Sequence, residues 1–294
     1  MNTEKETDRS TRRNKSSAQG FPAKVAKTPA QRVTPPIVYR LPRMDEVKVH
    51  ANLKYSDVDN PDLMMDVYAP PDLSLNGLRP IVLCIPGGAG AQYQPKDWGI
   101  FQSWGRLIAA AGMVGVVFTH RLGYPKPCLS EAAADVNCAI AHIRANANSF
   151  NADPDRVCLA AWSAGGALLA PAMRERPAFI RCVAAFYALL DCQQSATHIE
   201  NESAASVTAF SPITCVPTDA SSMVPMFVAR AGVDEVPALN DSIDRFVGAA
   251  IAANAPITFM NHPSGEHGFD NQNDDHRSRE IIQSAIAFMR ANLR

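Results

Sequence analysis

No stretch of the 294 residues stays apolar for the roughly 20 positions that a membrane-crossing helix requires. Arg12-Arg13 is not followed by the apolar segment that a twin-arginine export signal carries, so a cytoplasmic protein is expected. Cysteine is sparse and odd in number: Cys84, Cys128, Cys138, Cys158, Cys182, Cys192 and Cys215, with no C-x-x-C. That pattern argues against a disulfide framework or a zinc site. Neither G-x-x-x-x-G-K-[ST] nor G-x-G-x-x-G occurs, which sets aside the phosphate-cradling loops of nucleotide binders. There is no internal repeat of fixed period, which removes solenoids and propellers. No cofactor and no metal are expected, and neither nucleic acid nor a membrane is an expected partner.

What is present is a chain with 47% hydrophobic residues, enough for one large domain. The first 36 residues differ from the rest. They hold eight Lys or Arg against three Asp or Glu, with few large apolar side chains, and read as a disordered basic tail. The tail is placed at residues 1–40 and the folded domain at 41–294. Within that domain, strand-like runs alternate with helical patterns: Met113 to Phe118 and then Leu129 to Ser149, Arg156 to Ala161 and then Ala164 to Arg174. Such alternation predicts an α/β fold, a mostly parallel sheet with helices on both faces.

The chemistry is written most densely at Ala161-Trp162-Ser163-Ala164-Gly165-Gly166. This segment follows the apolar run Val157 to Ala160 and opens the helical stretch Ala167 to Ala170. A strand, a sharp turn with serine at its apex and a helix make up a nucleophile elbow, usually written G-x-S-x-G. Small neighbours are needed because the turn presses them against the adjacent strand and helix. Ser and Gly also mark ordinary turns, so the motif needs partners. A serine hydroxyl becomes a useful nucleophile only when a histidine takes its proton and an acid fixes that histidine's tautomer.

Both partners follow in the order serine, acid, histidine. The apolar run from Met226 ends at Ala231-Gly232-Val233-Asp234, and the loop Pro263-Ser264-Gly265-Glu266-His267-Gly268 follows the short strand Ile257 to Met260. Asp234 also suits an ordinary helix cap or turn, and His267 a solvated loop. Asp191, after the strand-like run Val183 to Leu190, is a rival for the acid, and His262 or His276 for the base. Asp234 and His267 are preferred because they sit where loops leave the last two strands. A third requirement is a pair of N–H donors for the charge that develops on the carbonyl oxygen. Ala164, next after the serine, is one candidate. The glycine-rich turn Gly87-Gly88-Ala89-Gly90, after the buried-strand run Ile81 to Ile85, is positioned to supply the rest.

With these segments together, the chain resembles the α/β-hydrolase superfamily, in its carboxylesterase and dienelactone-hydrolase-like branch, which includes the hormone-sensitive-lipase-like esterases. The similarity runs from about residue 45 to the C-terminus. It includes Leu63 to Pro70, His120-Arg121-Leu122 in place of Y-R-L, the turn Asp153-Pro154-Asp155-Arg156 and the loop Gly265 to Phe269. The resemblance implies an α/β-hydrolase fold with Ser163 as nucleophile, His267 as base and Asp234 as its acid. It also implies that Gly88, Ala89 and Ala164 supply the oxyanion N–H groups. Pro86 stands where many relatives carry the histidine of H-G-G-G, Ala89 replaces the third glycine, and Ala161 the first glycine of the elbow. Trp162 occupies the position that is Asp in many lipase-like members and argues against that subgroup.

The irregular stretch 191–222 is suited to a small cap or lid as well as to an ordinary surface connection. Of the aromatics, Tyr93, Trp98, Phe101, Trp104 and Trp162 are available either to line an acyl pocket or to fill the core. The expected activity is hydrolysis of a small or medium carboxylic ester through an acyl-enzyme, with a small-molecule ester as partner. A homodimer is allowed. Peptidase or lactonase action on the same residues, or a catalytically silent binding protein of this fold, are the alternatives.

Overall fold

A computed structural model describes residues 34–71, 77–123, 128–193, 202–217, 223–236 and 238–294. Most of the expected basic tail therefore lies outside the described residues. Eight strands form one sheet: β1 (Lys48–Lys54), β2 (Met64–Ala69), β3 (Arg79–Ile85), β4 (Val114–Phe118), β5 (Ala152–Trp162), β6 (Ile180–Phe186), β7 (Met226–Ala231) and β8 (Ile257–His262). Their spatial order is β1-β2-β4-β3-β5-β6-β7-β8. β2 runs antiparallel to both of its neighbours, and the six strands β3 to β8 are mutually parallel. The helices are α1 (Gly99–Ala110), α2 (Leu129–Ala145), α3 (Ala170–Glu175), α4 (Ala204–Ala209), α5 (Leu239–Ala252), α6 (Phe269–Gln272) and α7 (His276–Asn292). No helix among the described residues is long and apolar enough to cross a membrane.

The unbroken apolar runs of the sequence arise because both faces of the sheet are covered. In β3, Ile81, Leu83 and Ile85 join the core beneath α2 and α5, with Ile140, Ile143 and Phe246. The alternating Val82 and Cys84 join the other core, beneath α1 and α7, with Leu107 and Ile282. Strand period two thus feeds two separate cores. Cys84, Cys158 and Cys182 are fully buried in this sheet, as apolar fillers should be. Phe101, Trp104 and Trp162 are buried as well, so they pack the core, whereas Tyr93 is 44% exposed.

The order β4-β3-β5 reverses the direction in which strands are added. The chain passes from β3 outward to β4, then crosses back to lay β5 on β3's other edge. At such a switch point the loops leaving two adjacent parallel strands diverge and open a crevice at their carboxyl ends. The loops that flank this crevice begin at Pro86 and Ser163.

Two elements differ from the sequence expectation. The helix read from Ala164 to Arg174 is a 3-10 turn over Ser163–Leu169, followed by the short α3. Pro171 explains the break: its ring has no N–H and clashes with the carbonyl four residues back, so the α-helix begins there instead of running through it. Second, residues 34–40, expected in the tail, pack on the domain. Ile37 is buried and donates its N–H to Ser103 Oγ at 2.9 Å, and Val38 donates to the carbonyl of Asp270 at 2.8 Å. Of the stretch 191–222, residues 194–201 and 218–222 lie outside the described residues. The described part is fastened down: Arg174 of α3 donates to Ala209 O at 2.7 Å, and Leu129 at the start of α2 donates to Glu202 Oε1 at 2.8 Å.

Candidate active site

Ser163 directly follows β5 and opens the 3-10 turn, and it holds φ at 52°. A non-glycine residue in this left-handed region costs about 1–3 kcal/mol and persists only where surroundings enforce it. The enforcement comes from close backbone packing. A Cβ on Gly165 would stand 2.4 Å from Pro86 O, so the turn touches the end of β3 and tolerates no side chain there. On its other side the carbonyl of Ser163 accepts the N–H of Leu189 at 2.9 Å, from the chain leaving β6.

The glycine-rich turn after β3 faces this serine. A Cβ on Gly87 would lie 2.8 Å from Ser163 Cβ and 3.4 Å from its Oγ, and one on Gly88 would lie 3.5 Å from Ala164 Cβ. Gly88 and Ala164, far apart in sequence, are therefore neighbours, and Ala89 follows Gly88 in the same turn. Ala164 lies in the first turn of its 3-10 segment, where N–H groups have no acceptor within the segment. His120 braces the corner. It is fully buried, its Nε2 stands 3.0 Å from Pro86 O, and the N–H of Leu122 points at its Nδ1 at 3.2 Å. Those partners demand one donor and one acceptor on the ring, the neutral tautomer with hydrogen on Nε2. Burial pushes its pKa down to about 4, against the opposing pull of the Pro86 carbonyl and Asp135. The adjacent Arg121 is bonded through Nε and Nη2 to the carboxylate of Asp135 on α2, at 2.8–3.2 Å.

Asp234 and His267 meet: His267 Nδ1 stands 2.9 Å from Asp234 Oδ2. Their loops are stitched together to make this contact. Gly232 donates to His262 O at 2.8 Å and Val233 to Gly265 O at 3.0 Å. A Cβ on Gly232 would fall 2.3 Å from Pro263 O, which is why glycine precedes the acid. Asp234 Oδ1 accepts the N–H of Val236 at 2.9 Å, which turns Oδ2 towards the imidazole. The Asp234 side chain is fully buried, while that of His267 keeps 26% of its surface exposed.

The rivals have other occupations. Asp191 accepts from Arg245 Nε at 2.7 Å and from the N–H of Gln193. His262 is buried, with Nε2 placed 3.0 Å from Ser278 Oγ and 3.1 Å from Asp275 Oδ1, and its ring underlies Gly265. His276 is the first residue of α7.

Sequence reasoning overlooked a second carboxylate. Asp270 is completely buried and accepts from Trp104 Nε1 at 2.7 Å, Trp162 Nε1 at 3.1 Å and Tyr187 Oη at 2.8 Å. Burial raises its pKa, and the three donors oppose that rise. Tyr187, at φ 38°, presents its ring to the His267 imidazole with centroids 4.7 Å apart at 62°. The available signal was chemical: a buried indole N–H needs an acceptor, and two buried tryptophans flank this region.

A mostly parallel eight-stranded sheet with this strand order, with a left-handed serine after its central strand, is an α/β-hydrolase fold. A family model, BD-FAE, matches residues 65–213, just over half of the chain, and the chain belongs to that family. Among curated proteins it is 23% identical over 244 residues to LipM of Mycobacterium tuberculosis, described as a probable carboxylic ester hydrolase. That match covers 70% of this chain and 53% of LipM. It is 28% identical over 123 residues to the isoprenylcysteine alpha-carbonyl methylesterase ICME of Arabidopsis thaliana, covering 40% of this chain and 26% of that protein. The chain thus spans about half the length of the first of these relatives and about a quarter of the second. Among solved structures, a truncated carbohydrate esterase from gut microbiota superposes with a TM-score of 0.67 at 18% identity, over 83% of this chain and 96% of that one. A thermophilic esterase of Thermogutta terrifontis does so with 0.63 at 20% identity, over 84% and 93%. At these identities the likeness is one of fold.

Proposed function

We propose that this protein hydrolyses carboxylic esters through an acyl-enzyme formed on Ser163. Two observations carry the reading: a left-handed serine at the switch-point crevice, and a histidine held at 2.9 Å by a buried aspartate on the neighbouring ends of β7 and β8. Family membership and relatives described as a carboxylic ester hydrolase and a methylesterase support an ester as the bond attacked.

In this reading Ser163 Oγ attacks the carbonyl carbon while His267 Nε2 takes the hydroxyl proton. Asp234 keeps hydrogen on Nδ1 and stabilises the imidazolium that results. The carbonyl oxygen becomes an oxyanion, held by the N–H groups of Gly88, Ala89 and Ala164. As the tetrahedral species collapses, the bond to the alcohol breaks and His267 returns its proton to that oxygen. Water, deprotonated by His267, then attacks the acyl carbon and releases the acid and Ser163. The test is covalent labelling by a fluorophosphonate probe, read by intact mass, alongside hydrolysis of p-nitrophenyl esters of increasing chain length. One adduct on the unaltered protein, and neither adduct nor turnover on Ser163→Ala, is expected. A folded protein that takes no adduct and cleaves no ester refutes the reading.

A further inference from the structure

Asp270 is placed where one carboxylate reaches the neighbours of both groups assigned to proton transfer. Trp162 immediately precedes Ser163, and its indole is stacked on Phe186 with ring centroids 4.9 Å apart and planes within 6°. The free edge of that indole ends in a hydrogen bond to Asp270 Oδ2, which also takes the N–H of Trp104 from α1. The other oxygen takes the Tyr187 hydroxyl, and the ring of Tyr187 is the wall against which His267 rests. Asp270 itself lies three residues after His267. The carboxylate therefore links the elbow, the exit of β6, helix α1 and the histidine loop.

A buried carboxylate is a poor choice for stability alone. Desolvating it is costly, and apolar residues of similar volume often serve a core as well or better. Its value lies in geometry: an indole N–H cannot accept a proton, so both tryptophans bind Oδ2 only as an acceptor at a fixed angle. Tyr187 is held in a left-handed conformation, and its hydroxyl is committed to Oδ1, which fixes the ring edge that His267 meets. Among the described residues, the titratable groups in contact with His267 are Asp234 from the loop after β7 and Tyr187 from the loop after β6, with Asp270 behind Tyr187.

We propose that Asp270 is a positioning residue that acts through Tyr187 and Trp162 to hold the imidazole of His267 and the serine turn in register. The proposal rests on the acyl-enzyme reading of Ser163 and His267. A displacement of about 1 Å between reacting groups costs on the order of a hundredfold in rate. Held by donors from Trp104, Trp162 and Tyr187, the carboxylate also carries negative charge that favours the imidazolium formed when Ser163 loses its proton.

The experiment compares Asp270→Asn, Tyr187→Phe and the double variant with the unaltered protein, using a p-nitrophenyl ester across pH and fluorophosphonate labelling. Asp270→Asn is expected to lower kcat by about ten- to a hundredfold, with KM changed by less than about threefold. The acid limb of kcat/KM is expected to move to lower pH, because removing a negative charge makes the imidazolium easier to deprotonate. Tyr187→Phe is expected to lower kcat in the same way, and the double variant to be no slower than Asp270→Asn, since both changes break one chain of contacts. A folded Asp270→Asn with the kcat and pH profile of the unaltered protein overturns the proposal. So does a purely additive double variant whose acid limb does not move. Should Asp270→Asn fail to fold, Tyr187→Phe decides: an unchanged kcat, or a loss that appears in KM instead, overturns the proposal, and a reduced kcat with KM changed by less than about threefold supports it. Labelling of the unaltered protein at Ser163 separates the two readings, because its absence removes the acyl-enzyme and its presence leaves Asp270 to be judged by the variants.

Discussion

Replacing His120 by Gln removes a titratable group from the corner that supports Pro86 while keeping an N–H donor for its carbonyl. In the folded protein the imidazole is completely buried and already has one donor and one acceptor partner. Protonation would aim a new N–H at the N–H of Leu122 and place an unsolvated charge beside the glycine-rich turn after β3. Burial accordingly holds its pKa near 4, against an ordinary 6.5 for the unfolded chain. Because the folded value is the lower one, the unfolded chain binds more protons between the two, and stability rises with pH across that window. The stabilisation is complete above about pH 6.5 and is lost as pH falls towards 4. A difference of about 2.5 units at 1.36 kcal/mol each amounts to about 3 kcal/mol in all, of which about 2 kcal/mol is lost between pH 7 and pH 4.5. Urea unfolding of both proteins at those two pH values isolates this contribution, since other titrations are shared. The unaltered protein is expected to lose about 2 kcal/mol more than His120→Gln. Equal losses would refute the argument and show that the ring is free to take a proton in place.

Two further predictions bear on the loops around the crevice. Asp234→Asn is expected to lower kcat by about a thousand- to ten-thousandfold with the fold intact, because the amide favours the wrong imidazole tautomer. Asp191→Asn should leave kcat within about twofold, as Asp191 faces Arg245; equal losses in both would return Asp191 to candidacy for the acid. Gly165→Ala forces a Cβ to within 2.4 Å of Pro86 O. It is expected to cost roughly 2 kcal/mol and lower Tm by about 4–8 °C. An unchanged Tm in a scanning calorimeter would show that the elbow is looser than its packing implies.

The fold was legible because both faces of the sheet are buried, so runs such as Ile81 to Ile85 and Val157 to Ala161 could only be covered strands. The helix after the elbow was drawn too long because its apolar pattern continues through Pro171, where the missing N–H outweighs periodicity. The packed segment 34–40 was hidden by composition: one buried Ile37 and backbone hydrogen bonds carry it, and neither leaves a mark on a charge count. Asp234 and His267 could be named because each lies just past a strand, where order along the chain restricts the choices. Asp270 could not, since a loop aspartate followed by Asn reads as solvated. Its role as acceptor comes from Trp104, Trp162 and Tyr187, which only the packed sheet gathers around it.

The contact between Val38 and the carbonyl of Asp270 joins the first described segment to α6, the short helix just before α7. Gly87, Ser163, Asp234 and His267 likewise come from strand ends widely separated along the chain, and contacts of that kind form late in folding because long loops must close first. Refolding followed by far-UV circular dichroism would then recover signal ahead of serine reactivity. On the proposed reading, labelling of Ser163 becomes a reporter of when the segment at Val38 and the residues around Asp270 have closed on the sheet.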